Sequence, residues 1–524
     1  MLASKDEESD PTSQKRDMGH PALAWAMCLG VTLLVAAVPF LRAFYRVEID
    51  YNEGWNIYNA VTAGAHGWLY PARYGWTSVN YPMLSFVVMA GLHRLTHEYL
   101  FTARVVSLLS LLASGAMVGA IVFRLGGGDA KKARRAAVLA GMFTVAVFCA
   151  NADYYVGMDD PQIFAQVFFL AGFYVYVSRR RSLVGIAFAA LLFVVGGFIK
   201  HNPVDFPLAV LLDLVLVSRW RAAWFSAWGL ALLAVGLALN THFGGPHFMD
   251  QLLAPRSYSV MKAGLQLRNG LGPILLPLCV AMYVAARVWR DRERRVAALL
   301  LVTSLVVGGY FGGGEGVAVN SLFSAMLAIA ISVGLLFVDV YGTGREEEPA
   351  TWRSRTMGGF AAPILFVWLL IPLAISGNWN VPGVMRETRA AEGRFDRQVA
   401  AMAARPGPAL CESLLRCYLA GEPYLYDPFN ATRLVKLGRL DQDAMVRAIA
   451  DRRFGAIQLD VALGDEAKID AVDPALRDRF TPGMLAAIRR NYVLASEDAD
   501  AAIYVPAPDI GDSPWETVTP RQTR

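Results

Sequence analysis

The stretch ALAWAMCLGVTLLVAAVPFLRAFYRVEIDYNEG (residues 22–54) decides the class of fold. Its first two-thirds are apolar for about 20 residues, the length an α-helix needs to cross a bilayer. It then turns polar and ends on the pentad Asp50-Tyr51-Asn52-Glu53-Gly54. Two carboxylates therefore stand where a membrane helix meets water. Ionisable groups in that position are either solvated or part of a site built at the membrane face.

Outward from this segment the pattern repeats. Of the 524 residues only 18% are charged, against roughly 25% in soluble domains, and the mean hydropathy is +0.38. Apolar blocks predict about eleven transmembrane helices, near 22–43, 100–124, 136–152, 161–179, 182–198, 204–218, 222–240, 271–289, 295–311, 318–340 and 357–377. The net charge of +5 follows from how charge is spread over the loops, so no nucleic-acid partner is expected. Residues 1–21 are polar, mixed in charge and too acidic for a signal peptide; they read as a cytoplasmic tail.

The loops alternate in sign. Basic runs occur at Lys131 to Arg135, Arg179 to Arg181, Arg219 to Arg221, Arg290 to Arg295, and Arg345 with Arg353 and Arg355. The short loops Asn151 to Asp160 and Gly312 to Val317 have no Lys or Arg. Cytoplasmic loops are enriched in Lys and Arg. The N-terminus is then inside, and the last 145 or so residues are outside. Tyr81 to Glu98 is apolar enough to span, but a span there would invert every later loop. It is read as an amphipathic helix on the outer surface, within an external loop of residues 44–99.

The three domains expected are thus the tail at 1–21, a transmembrane domain at 22–377, and an external soluble domain at 378–524. In the last, short apolar strands (Ala409 to Leu415, Ala456 to Val461, Ala501 to Val505) alternate with helical stretches (Asp441 to Arg452, Pro482 to Arg490), which predicts a small α/β fold. Cys411 and Cys417 fall there; outside the cytoplasm they could pair, and a free pair is equally compatible with the sequence.

The expected external loops collect the costly polar residues. The first holds Asp50, Glu53, Arg73, Trp55, Tyr58, Trp68 and Tyr70. The second holds Asp153, Asp159 and Asp160. The third is the turn Lys200-His201-Asn202-Pro203, followed by Asp205. The fourth includes His242, His247, Asp250, Arg256 and Lys262, and the fifth Glu315 and Asn320. Each has a plain reading. Trp and Tyr form interfacial belts, Asp160 before Pro161 caps a helix, and Lys200 at a helix end snorkels. The convergence of all five loops on one face is the signal. Carboxylates and cations in one external cavity suit glycosyl transfer. A carboxylate takes a proton from an acceptor hydroxyl, and Lys, Arg or His stabilises a departing phosphate. The donor would be a sugar on a polyprenyl phosphate, held by its tail in the lipid bilayer.

The chain at this point resembles the GT-C superfamily of membrane glycosyltransferases. It is similar to the branch holding dolichyl-phosphate-mannose–protein mannosyltransferases and the lipid A aminoarabinose transferase. The resemblance lies in the layout of the whole chain and in a few motifs. These are Tyr51 to Tyr58, Gly67-Trp68-Leu69-Tyr70-Pro71, Asn80-Tyr81-Pro82, Asp159-Asp160, Lys200 to Pro207, and Gly313 to Asn320. It implies a GT-C-like polytopic α-helical membrane protein with a C-terminal extracytoplasmic α/β domain in the cell inner membrane. The implied activity is inverting sugar transfer from a polyprenyl-phosphate donor to an envelope lipid, polysaccharide or protein. Asp50, Glu53, Asp159 and Asp160 are the candidate catalytic carboxylates. Lys200 and His201, in their compact turn between two spans, are the first candidates for the donor phosphate, and Arg256 is the second because Arg can grip phosphate with two hydrogen bonds. Asn52, Trp55, Tyr58, Tyr81, Asn202 and Asn320 would bind substrate. No metal or other cofactor is implied, since the mannosyl and aminoarabinose transferases need none. Where the family has Asp-Glu, this chain has Asn52-Glu53; Asn52 cannot accept a proton, so the base falls to Asp50 or Glu53. A transporter or lipid flippase is the alternative, although such proteins place ionisable residues near the bilayer midplane and often carry an internal repeat. A non-enzymatic envelope scaffold would have no need of Lys200-His201 beside Asp159-Asp160.

Overall fold

The computed structural model describes residues 19–65, 68–342, 352–376, 380–464 and 476–508. Residues 1–18 of the expected tail, Gly67 of the Trp-Leu-Tyr-Pro motif and Arg345 of the last basic run lie outside the described residues; the first helix begins at Gly19, within the expected tail. The chain divides into two compact units. One comprises the described residues within 19–44, 81–243 and 255–385; the other comprises those within 45–80, 244–254 and 386–508.

The first unit is a helical bundle. All eleven expected apolar blocks are helices. Among the described residues seven are long and apolar enough to cross a membrane: Ala22–Arg42, Leu100–Gly126, Ala130–Asn151, Pro161–Arg179, Arg219–Gly244, Arg295–Gly312 and Val319–Tyr341. The pair Val260–Leu271 and Leu275–Val288, bent by 93°, makes an eighth if it counts as one span. Leu183–Ile199 and Asp205–Val217 are shorter, as is the apolar stretch Phe360–Leu373 within Trp352–Ser376. The helix Leu84–Thr96 has 13 residues, about 20 Å of rise, the same as Asp205–Val217 and shorter than a core of roughly 30 Å, so length does not separate the two.

Burial sorts these helices. Val319–Tyr341 is enclosed along nearly its whole length, with Phe323, Leu327, Ile331 and Phe337 fully buried. Arg219–Gly244 is largely uncovered and presents Leu230, Val235 and Phe243 outward, as a lipid-facing helix does. Small residues set the closest packing: a Cβ at Gly115 would lie 2.9 Å from the carbonyl of Gly141, and one at Gly119 2.8 Å from that of Ala137. Backbones approach this closely in membranes only where side chains are small. Polar clasps hold the helix ends. Asp213, fully buried, accepts from Tyr176 at 2.6 Å and from Arg295 at 3.0 Å. Arg294 donates to the terminal carbonyls of Leu125 and Gly126, which satisfies acceptors that a helix end leaves free.

The second unit is built on a four-stranded sheet in the order β1-β2-β4-β3: β1 Ala409–Cys411, β2 Ala456–Leu459, β3 Tyr492–Asp498 and β4 Ala501–Pro506. β1 and β2 are parallel, with Leu410 opposite Ile457; β4 runs antiparallel to both β2 and β3. The sequence reading missed β3, whose residues after Tyr492 are exposed and carry no buried alternation. The first expected strand ends early because Ser413 caps a helix over Leu414–Leu419. Cys411 and Cys417 form a disulfide across that turn. The core comprises Leu410, Ile449, Ile457, Phe480, Ile488 and Tyr504, among others. Helix Asn52–Gly64 belongs to this unit. A Cβ at Gly54 would collide with the backbone at Leu414 and Leu415, so glycine there lets the two helices meet backbone to backbone.

Candidate functional site

Within the helical unit, the third and second acidic or basic loops converge on one ion pair. Asp160 caps Pro161–Arg179: one carboxylate oxygen accepts the Gln162 N–H at 2.7 Å. The other oxygen lies 3.5 Å from Lys200 Nζ. Capping and pairing therefore coexist in one side chain. Lys200 ends the helix Leu183–Ile199, and its ammonium sits 3.3 Å from the centre of the Tyr81 ring. Both partners are almost completely buried, at 1% and 2% side-chain exposure, so Lys200 does not snorkel to water. A buried pair holds together only when geometry and further contacts compensate desolvation; the face of Tyr81 supplies a second attraction for the cation.

Burial pushes the Lys200 amine down to about 8; Asp160 opposes that shift, and the positive charge of Arg256 adds to it. His201 is pushed to about 3 by burial first and then by Arg256 and Lys200. Burial thus favours the neutral imidazole of His201, a form that can donate or accept a hydrogen bond. Its ring stands 6.4 Å from that of Tyr81. His201 Nδ1 and Asn202 Oδ1 are buried with no hydrogen-bond partner among the described residues. Such orphans cost roughly 1–3 kcal/mol each, which a water or a polar ligand in that turn would offset. Gln162 and Gln166, one helical turn apart, also keep unpartnered buried carbonyls; Gln166 donates to Ser324 at 3.1 Å. The sequence reading passed over both, because two glutamines inside an apolar run carry no motif.

Asp159 is buried beside Asp160. Asn320 lies in the short turn Val319–Leu322, where it accepts from the Ala318 N–H. No hydrogen bond among the described residues joins it to Lys200 or Asp160.

In the sheet unit, the helix after the first span starts at Asn52, so Asp50 precedes it. Asp50 accepts the Asn52 N–H at 3.0 Å. Glu53 is fully buried and accepts the Ile49 N–H at 2.8 Å. The Glu53 N–H donates to the Asp50 carbonyl at 3.1 Å, so a single turn joins the two acidic residues just ahead of the regular helix. Asn52 offers its carbonyl to Asn56. Trp55 donates to Asp427 at 2.9 Å. Tyr58 donates to the Glu422 carbonyl and stacks on Tyr424 at 4.8 Å.

Glu48, not singled out by the sequence, sits 3.7 Å from Arg416. Desolvation lifts its carboxyl to about 7, with Arg416 pulling back. Arg479 bridges Glu412 at 2.9 Å and Asp460 at 3.0 Å, and its guanidinium covers the Tyr51 ring. Among the described residues no group of three or more His, Cys, Asp or Glu side chains is placed to hold a metal ion.

No family model and no curated protein sequence matches the chain. Solved structures do. ArnT from Cupriavidus metallidurans, bound to undecaprenyl phosphate, is 15% identical, covers 92% of this chain and 98% of its own, and superposes with a TM-score of 0.53; its apo state gives 14% and 0.54 over 91% and 98%. The archaeal oligosaccharyltransferase AglB from Archaeoglobus fulgidus, in complex with an inhibitory peptide and a dolichol-phosphate, is 10% identical over 94% of this chain and 75% of its own, at 0.50. The likeness and the apolar helices together make this a multi-pass membrane protein. The chain has the GT-C fold.

Proposed function

We propose that the chain is an inverting glycosyltransferase that moves a sugar from a polyprenyl-phosphate donor to an envelope lipid, polysaccharide or protein. The observation that carries the reading is the buried Lys200 ammonium beside two orphaned polar atoms, His201 Nδ1 and Asn202 Oδ1. A phosphate oxygen would pair with the Lys200 ammonium and accept from an Nδ1–H of His201; Asn202 Oδ1, an acceptor, would take its partner from a sugar hydroxyl instead. ArnT and AglB, whose fold the chain has, were solved with polyprenyl phosphates bound. In the reaction the acceptor oxygen attacks the anomeric carbon from the face opposite the phosphate. The C–O bond to phosphate breaks, its electron pair stays on the phosphate, and the acceptor proton passes to a carboxylate. Lys200 and Arg256 stabilise the charge that grows on the leaving oxygen. Asp50, Glu53, Asp159 and Asp160 remain the proposed catalytic carboxylates, with Tyr81 forming a wall of the Lys200 site.

The membrane arrangement proposed with it has eleven spans: the eight that qualify by length and composition, plus Leu183–Ile199, Asp205–Val217 and the apolar part of Trp352–Ser376. Leu84–Thr96 lies on the outer surface. The N-terminus is cytoplasmic and the sheet unit external, in the inner membrane; the Cys411–Cys417 disulfide supports an oxidising compartment for that unit.

The test is incubation of purified protein with a labelled polyprenyl-phosphate sugar in sealed vesicles. Transfer of label to an acceptor is expected. Translocation without bond cleavage would instead establish the transporter. Donor titration against Lys200→Ala would separate the phosphate site from the rest, and unchanged affinity would remove it.

A further inference from the structure

Helix Gly19–Arg42 packs with Cys28 and Ala36 buried but stays open along one side. Between it, Leu100–Gly126 and Ala130–Asn151 runs a groove of about 900 Å³, within the roughly 300–1,000 Å³ of ligand sites. The tight Gly115–Gly141 and Gly119–Ala137 contacts leave a floor without large side chains, and Leu29, Leu33 and Phe40 form one wall. From Leu29 to Leu41 the groove follows about 18 Å of helix rise, slightly more than half of a roughly 30 Å hydrocarbon core.

The two ends differ. At the Leu41 end the cation Arg42 is committed, donating to the Asp153 carbonyl at 2.8 Å and pairing with its carboxylate at 3.7 Å. At the other end Arg134 lines the groove and makes no hydrogen bond or ion pair among the described residues. Lys131, Lys132 and Arg135 stand beside it in sequence. An apolar trough one leaflet deep, with an uncommitted guanidinium at its mouth, has the form of a lipid: acyl chain below, phosphate above. Arg grips phosphate through two parallel hydrogen bonds, and basic clusters at membrane boundaries attract anionic lipid.

We propose that this groove binds one anionic diacyl phospholipid, with an acyl chain along Leu29 to Phe40 and the phosphate at Arg134. The site is separate from the Lys200 cluster, and the inference stands whether or not the glycosyl-transfer reading does.

The experiment is native mass spectrometry of the full chain taken from nanodiscs of mixed phosphatidylglycerol and phosphatidylethanolamine. One tightly held phosphatidylglycerol per chain is expected. Arg134→Gln should lower its occupancy about tenfold, whereas Arg124→Gln, which removes a cation outside the groove, should not. Ala116→Phe, filling the floor, should abolish retention; Val138→Trp serves if that variant fails to fold. No retained lipid, retention of a polyprenyl phosphate instead, equal retention of both headgroups, or occupancy unmoved by Arg134→Gln and either filling variant would overturn the proposal.

Discussion

At Lys200 the carboxylate of Asp160 and the face of Tyr81 hold an ammonium that water barely reaches. Removing one member of a buried pair costs about 3–5 kcal/mol, because the other is left uncompensated. Lys200→Ala should therefore lower both thermal stability and donor affinity. The double variant Asp160→Asn with Lys200→Met removes both charges; calorimetry should show most stability restored while donor affinity stays lost. Recovery of affinity in the double variant would mean that the cation never touched phosphate.

The amine, held down near 8 by burial, is protonated below that pH and loses its charge above it. Donor affinity of the wild type should accordingly fall as pH rises from 7 to 9, while Lys200→Arg, which keeps its charge, should stay flat. His201, held near 3, does not titrate in this window. His201→Ala should weaken donor binding by the same factor at pH 6 and pH 8. A larger effect at the lower pH would show that the imidazole is charged after all.

At the scale of the element, glycines separate packing from propensity. Gly54 lies in the first turn of its helix against the Leu414–Leu415 backbone, and Gly54→Ala forces that backbone away. Overpacking of this kind costs about 1–3 kcal/mol, to be read as a lowered melting temperature. Gly91, in Leu84–Thr96, has nothing within 4 Å of where its Cβ would be. Gly91→Ala should stabilise by about 0.5–1 kcal/mol through helix propensity alone. Equal shifts in both variants would contradict the close approach at Gly54. The short length of Leu84–Thr96 follows from His97, which terminates it in the left-handed region at φ 56°; the apolar run Tyr81 to Glu98 gave no sign of where it would stop.

At the scale of the whole molecule, the proposed arrangement predicts the side on which each loop is labelled. Single cysteines at Asp159 and Gly314 should react with an impermeant reagent added outside, and those at Arg134 and Arg292 only after the membrane is opened. External labelling at Arg134 would turn Leu84–Thr96 into a span and invert the later loops.

Apolar runs of membrane length, the sign of the loops and the strand–helix alternation after residue 400 are properties of contiguous sequence. They determined by themselves that the chain is a helical membrane protein with a small α/β unit, because bilayer thickness and hydrogen-bond saturation leave few alternatives. The Asp160 cap was legible for the same reason, since Asp-Asp-Pro is a local signal. Other features depend on residues far apart in the chain, and only tertiary structure decided them. Asp160 meets Lys200 across 40 positions, and burial there, rather than residue type, favours a neutral His201. Gly54 admits the Leu414–Leu415 backbone from 360 residues away in the chain, and strand Tyr492–Asp498 exists because β4 pairs with it. Burial and pairing are set by which surfaces meet, and no local pattern of residues encodes that meeting.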